Sequence, residues 1–173
     1  FLTRLSLEVA SALGSSVRVQ QDESGHVEAL VHPLCSPWQK VLVLKAVRKV
    51  TEGSGGVELC EIPEPTVGAP EDVKIAIRAG GICGTDLHIR EGGYGFKPPV
   101  TLGHEICGDV IEVGSSVTRL AVGDRVTVNP TASGSCGNCR HCHTGTYFFC
   151  KNRLSIGSGI DGGFAEYLTT PEH

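Results

Sequence analysis

Residues 136–150 read CGNCRHCHTGTYFFC, which places four cysteines at the spacing C-x2-C-x2-C-x7-C. Thiolates at such short intervals, on a loop that can fold around an ion, are what tetrahedral zinc coordination by sulfur needs. Glycines inside and beside this stretch supply a flexible backbone. The spacing therefore predicts that one structural zinc ion is held by Cys136, Cys139, Cys142 and Cys150, in a lobe outside the main strand pattern.

Three other interpretations of the four cysteines fit less well. Two disulfides are disfavoured because cysteines this close rarely meet disulfide geometry in several pairs without strain. An iron–sulfur cluster of the bacterial type has its fourth cysteine after x3 and before proline, whereas Cys150 follows x7 and precedes Lys151. A nucleic-acid knuckle is disfavoured because the aromatic residues 147–149 form a single block and the net charge is −4. We therefore expect no nucleic-acid partner.

Outside this lobe the chain is a series of short apolar segments separated by turns. The 173 residues suffice for one ordinary domain, and 23 glycines with 9 prolines indicate many tight connections. Val73, Ile75 and Ile77 alternate with polar or small residues, which predicts a half-buried strand. We expect a mainly β fold, a barrel with short helices, because barrel closure removes exposed strand edges. The remaining predicted strands are Val41–Val47, Val110–Val113, Arg125–Val128 and Phe164–Thr169.

Residues 1–40 differ from the rest, and we find no chemistry in them. They predict a helix over residues 1–14, a short strand at Val17–Val19 and a linker over residues 32–37. We interpret residues 1–40 as a leader or the tail of a preceding domain, unassigned in function, and residues 41–173 as the main domain. No basic region precedes an apolar stretch at the start, and no apolar run approaches the ~20 residues that span a bilayer. We therefore expect no membrane partner and a reducing, cytoplasmic location.

A second set of metal-type residues lies upstream of the lobe. The segment Gly81–His88 reads GICGTDLH, and Gly103-His104-Glu105 follows it. Together Cys83, His104 and Glu105 offer a thiolate, an imidazole and an adjacent carboxylate. A catalytic zinc site needs three protein ligands and one open position, so this set supplies part of such a site.

With these segments in view, the sequence resembles the zinc-dependent medium-chain alcohol and polyol dehydrogenase family. The resemblance covers roughly residues 41–171 and implies a GroES-like barrel, the N-terminal catalytic half of such an enzyme. The matching pieces occur in family order: Gly81–His88, Gly103–Glu105, the four-cysteine lobe, Val113-Gly114 through Gly123–Val126, and Gly163–Tyr167.

The resemblance implies a role for each residue of the upstream set. Cys83 and His104 correspond to catalytic zinc ligands, and Glu105 to a neighbouring carboxylate that in relatives binds the metal or supports a ligand. Asp86 corresponds to the residue that orients the liganding histidine. Thr85 and His88 resemble the proton relay, in which the threonine hydroxyl takes the substrate proton and the histidine passes it towards solvent.

The resemblance also implies what this chain lacks. NAD or NADP binding belongs to a Rossmann domain, which we expect beyond His173, so no residue here is assigned to the cofactor. Gly157–Gly162 fits G-x-G-x-x-G, but a strand and Pro171 follow it instead of a helix, so we interpret it as the loop before the last strand. The third catalytic ligand, a Cys or Glu in relatives, is also expected further on, and neither Cys60 nor Cys107 occupies its position. We therefore predict that the isolated chain is inactive.

Two functional hypotheses follow from these observations. The first is the catalytic portion of a dehydrogenase that oxidises a secondary alcohol, polyol or threonine-like substrate. It would contain structural zinc and a partial site for catalytic zinc, and it is compatible with assembly as a homo-oligomer. The alternative is a non-catalytic, zinc-stabilised GroES-like binding module. The pairing of the Cys83 and His104 ligands with a Thr85 and His88 relay favours the enzyme, because a binding module has no need of a relay.

Overall fold

The computed structural model describes residues 17–21, 27–31 and 39–173. The chain divides into two compact units, Phe1–Leu44 and Lys45–His173. In the first, three antiparallel strands form a sheet in the order β1-β2-β3. The strand predicted at Val17–Val19 is confirmed, whereas the helix predicted over residues 1–14 and the linker predicted over residues 32–37 lie outside the described residues. The strands are β1 (Val17–Gln21), β2 (Val27–Val31) and β3 (Gln39–Val41).

From β4 onward the chain forms two further sheets, with strand orders β10-β6-β8-β9 and β5-β4-β7. The mainly β prediction is confirmed, although within the described part of the chain the strand pairs give separate sheets and no closed ring. The strands are β4 (Val43–Lys49), β5 (Val57–Pro63), β6 (Asp72–Gly81), β7 (Val100–Thr101), β8 (Glu105–Val113), β9 (Arg125–Thr127) and β10 (Tyr167–Pro171). The helices are α1 (Gly84–Arg90), α2 (Arg140–His143) and a 3-10 turn, Tyr147–Phe149.

The long antiparallel strands β6 and β8 form the centre of the main, four-stranded sheet. Its register places Gly81, the last residue of β6, opposite Glu105, the first residue of β8. The inner face of this sheet carries a cluster of aliphatic side chains, whose burial stabilises the pairing. The fully buried members are Val73, Ile75, Ile106, Val110, Val128, Ile156 and Leu168.

The strand predictions differ from the structure in several details, and the strand predicted at Val41–Val47 is interrupted at Leu42, between the end of β3 at Val41 and the start of β4 at Val43. Lys74 lies between Val73 and Ile75, so the alternation predicts that its side chain is exposed, but it is only 6% exposed. Its aliphatic stem is buried while its ammonium group pairs with Glu64 and lies 5.2 Å from the Tyr167 ring, so the charge remains partnered. The last strand begins at Tyr167 instead of Phe164, because Phe164 packs into a second apolar cluster and its N–H donates to Leu102.

That second cluster supports α1. Ile89 from the helix packs with Val100 and Leu102, and the partly buried Phe96 and Phe164 complete the contact. The helix begins after Cys83, where the Asp86 carboxylate accepts the Cys83 N–H at 2.8 Å. One buried face thus fixes the helix that carries the predicted relay residues.

Within the residues that the structure describes, no helix has the length and apolar character to cross a membrane.

Candidate metal centres and catalytic cleft

The four cysteines of the lobe meet at one point. The separations of the Sγ atoms are 3.9 Å between Cys136 and Cys142, 3.5 Å between Cys139 and Cys142, and 3.6 Å between Cys150 and Cys136. A zinc ion with Zn–S bonds of ~2.3 Å in a tetrahedron needs sulfur atoms about 3.8 Å apart. The observed separations fit that tetrahedron and are too long for S–S bonds of ~2.05 Å. These thiols therefore fit zinc and do not form the disulfides considered above.

The local environment of the lobe favours the thiolate form at two of its four cysteines, Cys136 and Cys142. A hydrogen bond from the backbone of Asn138 lowers the pKa of Cys136 against the effect of burial. Burial raises the pKa of Cys142, but hydrogen bonds from the Ser135 side chain and the other cysteines outweigh it and bring the pKa down to about 6. A hydrogen bond from the backbone of Cys142 lowers the pKa of Cys139, but burial and hydrogen bonds with the side chains of Cys142 and Cys136 outweigh it and raise that pKa to about 11. A divalent cation would supply the charge needed to deprotonate this last thiol.

The second metal-type cluster follows from the pairing of β6 with β8. Because antiparallel strands run in opposite directions, the residues after β6 lie next to the residues that open β8. Cys83 comes two residues after β6, and His104 directly precedes Glu105 at the start of β8. The ligand atoms of Cys83, His104 and Glu105 all lie within 4.8 Å of one another. The fold thus joins two segments that are distant in sequence into one donor set of the kind that zinc prefers.

Asp86 lies beneath this cluster and is only 4% exposed. Besides the Cys83 N–H, its carboxylate accepts the Gly103 N–H at 3.4 Å. Its Oδ1 also lies 3.7 Å from Nδ1 of His104. This arrangement directs Nδ1 of His104 to the carboxylate and leaves Nε2 as the nitrogen available to a metal.

Two glycines provide the space that the cluster needs. A Cβ on Gly81 would lie 3.1 Å from the Cβ of Glu105 and closer still to its carboxylate, so the bare backbone leaves room for that side chain. Gly103 has φ of +91°, and a Cβ there would enter the ring of Phe164. Only glycine adopts this backbone at little cost, and it turns the chain so that His104 faces Cys83.

A small cleft opens beside the His104 side chain. Thr85 lies in its wall, and the Cys83 thiol lies 3.7 Å from Thr85 Oγ1. His88, the other predicted relay residue, is one turn further along α1, is exposed, and lies outside this wall. The cleft is lined by Thr85, Ile89, Tyr94, His104, Pro130, Thr131, Arg153, Ser155, Ile156 and Ser158.

Sequence reasoning missed Tyr94 and Arg153 as cleft residues. Arg153 lies three residues after Cys150, and this position beside the four-cysteine lobe is the signal that could have found it. Cys60 and Cys107 belong to neither metal-type cluster of the described residues. Gly157–Gly162 forms turns before β10 and no helix, so its interpretation as a loop is confirmed.

The fold and the two donor sets define a β-rich domain with two candidate metal sites. Residues 69–173 match the family described as the alcohol dehydrogenase GroES-like domain, and the chain belongs to that family.

Individual relatives agree with this membership. The chain is 45% identical over 125 residues to a sorbitol dehydrogenase of Halalkalibacterium halodurans, covering 72% of this chain and 36% of the relative. It is 43% identical over 133 residues to an L-threonine 3-dehydrogenase of Symbiobacterium thermophilum, covering 75% and 37%. Among solved structures it matches an alcohol dehydrogenase from Escherichia coli complexed with NADH, with a TM-score of 0.65, 35% identity, and coverage of 75% and 36%. The chain spans about a third of the length of the curated relatives it matches.

Proposed function

We propose that this chain is the catalytic-domain portion of a zinc-dependent, NAD(P)-linked dehydrogenase that oxidises a secondary hydroxyl group. The observation that carries the proposal is the meeting of Cys83 and His104 beside Thr85 at an open cleft. The similarity to sorbitol and threonine dehydrogenases supports a polyol or a threonine-like substrate. We also propose residues 41–173 as the catalytic domain and leave residues 1–40 unassigned.

The reaction converts a secondary alcohol and NAD(P)⁺ into a ketone, NAD(P)H and a proton. NAD(P)⁺, when bound, would accept the hydride that leaves the substrate C–H bond, and the substrate O–H bond would release a proton. Zinc bound at Cys83 and His104 would supply a Lewis acid that lowers the pKa of the substrate hydroxyl group. Thr85 would accept the released proton at Oγ1, and His88, exposed one turn away, would pass it to solvent.

The remaining residues support this step. Asp86 holds His104 in the orientation that presents Nε2, and Glu105 either completes the donor set or balances its charge. We propose that Cys136, Cys139, Cys142 and Cys150 hold a second zinc ion that fixes the lobe. The relatives' greater length supports the proposal that the nicotinamide site and a third ligand lie outside residues 1–173.

The test compares the complete gene product that contains this chain with residues 1–173 alone. Both are supplied with zinc, and formation of NAD(P)H is followed with sorbitol, L-threonine and 2-butanol. We expect turnover by the complete protein and none by residues 1–173, because hydride transfer requires a bound nicotinamide held against the substrate.

Two variants of the complete protein test the assigned site. Cys83→Ser should abolish turnover, and Thr85→Val should reduce kcat by about 10²-fold or more, the usual contribution of a positioned proton acceptor. Cys107→Ser, an exposed cysteine outside both clusters, should retain activity within about twofold. If the folded, zinc-loaded complete protein oxidises none of these alcohols, the result would favour the non-catalytic binding module instead.

A further inference from the structure

Arg153 places a guanidinium group in the wall of the proposed catalytic cleft. It shares that wall with Thr85 and His104, although it belongs to the loop after the cysteine lobe. Its Nη1 donates to Ser155 Oγ at 3.3 Å, and its guanidinium carbon lies 5.1 Å from the centre of the Phe148 ring. These neutral contacts orient the guanidinium and leave most of its N–H donors unused.

The charge of Arg153 is not balanced by the residues around it. Among the residues of the described structure that line this cleft, no side chain is acidic. No carboxylate of residues 39–173 lies within ion-pair distance of Arg153. Most ion pairs in this part of the chain are formed by other arginines. The charge of a zinc ion at the neighbouring donor set would be largely neutralised by the Cys83 thiolate and the Glu105 carboxylate, so the unpaired charge in this wall is that of Arg153. A partly enclosed site with excess positive charge favours an anionic occupant.

The backbone around Arg153 fixes its position. Its own N–H donates to the carbonyl of Cys150, a lobe ligand, at 3.2 Å, and the N–H of the next residue, Leu154, donates to the carbonyl of Gly134 at 2.8 Å. A Cβ on Gly134 would overlap the Leu154 carbonyl oxygen, so only glycine allows this approach. The lobe therefore holds Arg153 against the cleft on a rigid support, which is how a specificity contact keeps its geometry.

We propose that Arg153 is a specificity-determining residue that binds an anionic group of the substrate, a carboxylate or a phosphate ester. The proposal rests on the proposed function, because the anionic group must belong to the alcohol that is oxidised beside Cys83 and His104. The planar fork of arginine binds both kinds of oxyanion through two parallel hydrogen bonds.

The experiment uses two pairs of substrates that differ in charge and share a carbon skeleton, tested with the complete, zinc-loaded gene product. The first pair is 3-hydroxybutyrate and 2-butanol, which differ by a carboxylate; the second is glycerol 3-phosphate and glycerol, which differ by a phosphate. We expect kcat/KM to be at least tenfold higher for the anionic member of one pair, and the pair that responds identifies the anion. Equal kcat/KM within both pairs would contradict the proposal.

Variants then assign the preference to the guanidinium group. Arg153→Gln should lower kcat/KM for the preferred anionic substrate by at least tenfold and change that for its neutral partner by less than twofold. Arg153→Lys should restore part of the loss, since it returns the charge without the fork. Lys151→Gln removes the same charge at an exposed position of the same loop outside the cleft wall, and should leave the ratio unchanged. An equal loss for both members of a pair in Arg153→Gln would reduce Arg153 to a structural role and overturn the proposal.

An inhibition measurement keeps the test valid even if Arg153→Gln folds less well. The anion that matches the responding pair, acetate or inorganic phosphate, should compete with 2-butanol in the wild-type protein, and the competition should weaken at least tenfold in Arg153→Gln. Unchanged inhibition constants would also contradict the proposal. Failure to oxidise these four alcohols together with sorbitol and L-threonine would instead refute the proposed function, so the two failures are distinguishable.

Discussion

Replacing Asp86 with alanine should destabilise the protein and weaken metal binding at the neighbouring cluster. The carboxylate accepts the N–H groups of Cys83 and Gly103 and is 4% exposed, so its removal leaves two donors without an acceptor. An unsatisfied buried donor costs about 1–3 kcal/mol, and because the Gly103 bond is long we expect a total loss of about 3 kcal/mol. Asp86→Asn keeps one acceptor and should lose less.

The measurement is urea unfolding of the complete gene product with and without zinc, combined with zinc titration against a fluorescent chelator. Because the proposed role of Asp86 is to orient His104, the alanine variant should bind zinc at the Cys83 and His104 cluster about 10–100-fold less tightly. Glu91→Ala, at the exposed end of the same helix, is the matched control and should change stability by less than about 0.5 kcal/mol. Unchanged stability and zinc affinity in Asp86→Ala would refute the assigned role.

Three further predictions concern the lobe and the edge of the main sheet. Removing zinc from the Cys136–Cys150 lobe should speed hydrogen exchange there while β6 and β8 stay protected, and loss of protection throughout the chain would contradict a local role for that metal. Gly134→Ala should lower the urea midpoint by the equivalent of about 1–3 kcal/mol, because its Cβ would overlap the Leu154 carbonyl oxygen; an unchanged midpoint would show that the loop is not held there. Burial raises the pKa of Glu172, but hydrogen bonds from backbone N–H groups, led by that of Arg119, outweigh it and hold the pKa below its ordinary value of 4.5. The ionised carboxylate therefore stabilises the folded state above pH 4.5, and this stabilisation is lost as the pH falls through the lowered pKa. Glu172→Gln should remove this acid-side loss in unfolding curves between pH 3 and 6, and a wild-type acid profile in the variant would refute the assignment.

The parts of the site that could be predicted from sequence are those encoded by local spacing. The four lobe cysteines fall within one short segment, so their convergence needs no knowledge of the tertiary fold. The strands around Val73 and Val110 are visible because apolar residues alternate or cluster there. Cys83 and His104 are far apart in sequence, and only the resemblance to a known family joined them before the β6–β8 register was available.

The residues that could not be predicted depend on contacts between distant segments. Lys74 has the sequence pattern of an exposed residue, and only the approach of Glu64 and the Tyr167 ring explains its burial. Arg153 has the pattern of a solvated basic residue, and its place in the cleft follows from the hydrogen bonds that hold its loop to Gly134 and Cys150. Periodicity carries no information about such partners, because they are set by packing of the whole domain.

X-ray absorption at the zinc K edge of the complete gene product tests the two-site arrangement most directly. We expect two zinc ions per chain, one with four sulfur ligands at ~2.3 Å and one with mixed sulfur, nitrogen or oxygen ligands. His104→Ala should remove most of the nitrogen contribution, and Cys142→Ser should alter only the four-sulfur site. One zinc ion per chain with sulfur ligands alone, and a spectrum unchanged in His104→Ala, would contradict a catalytic zinc site at Cys83 and His104.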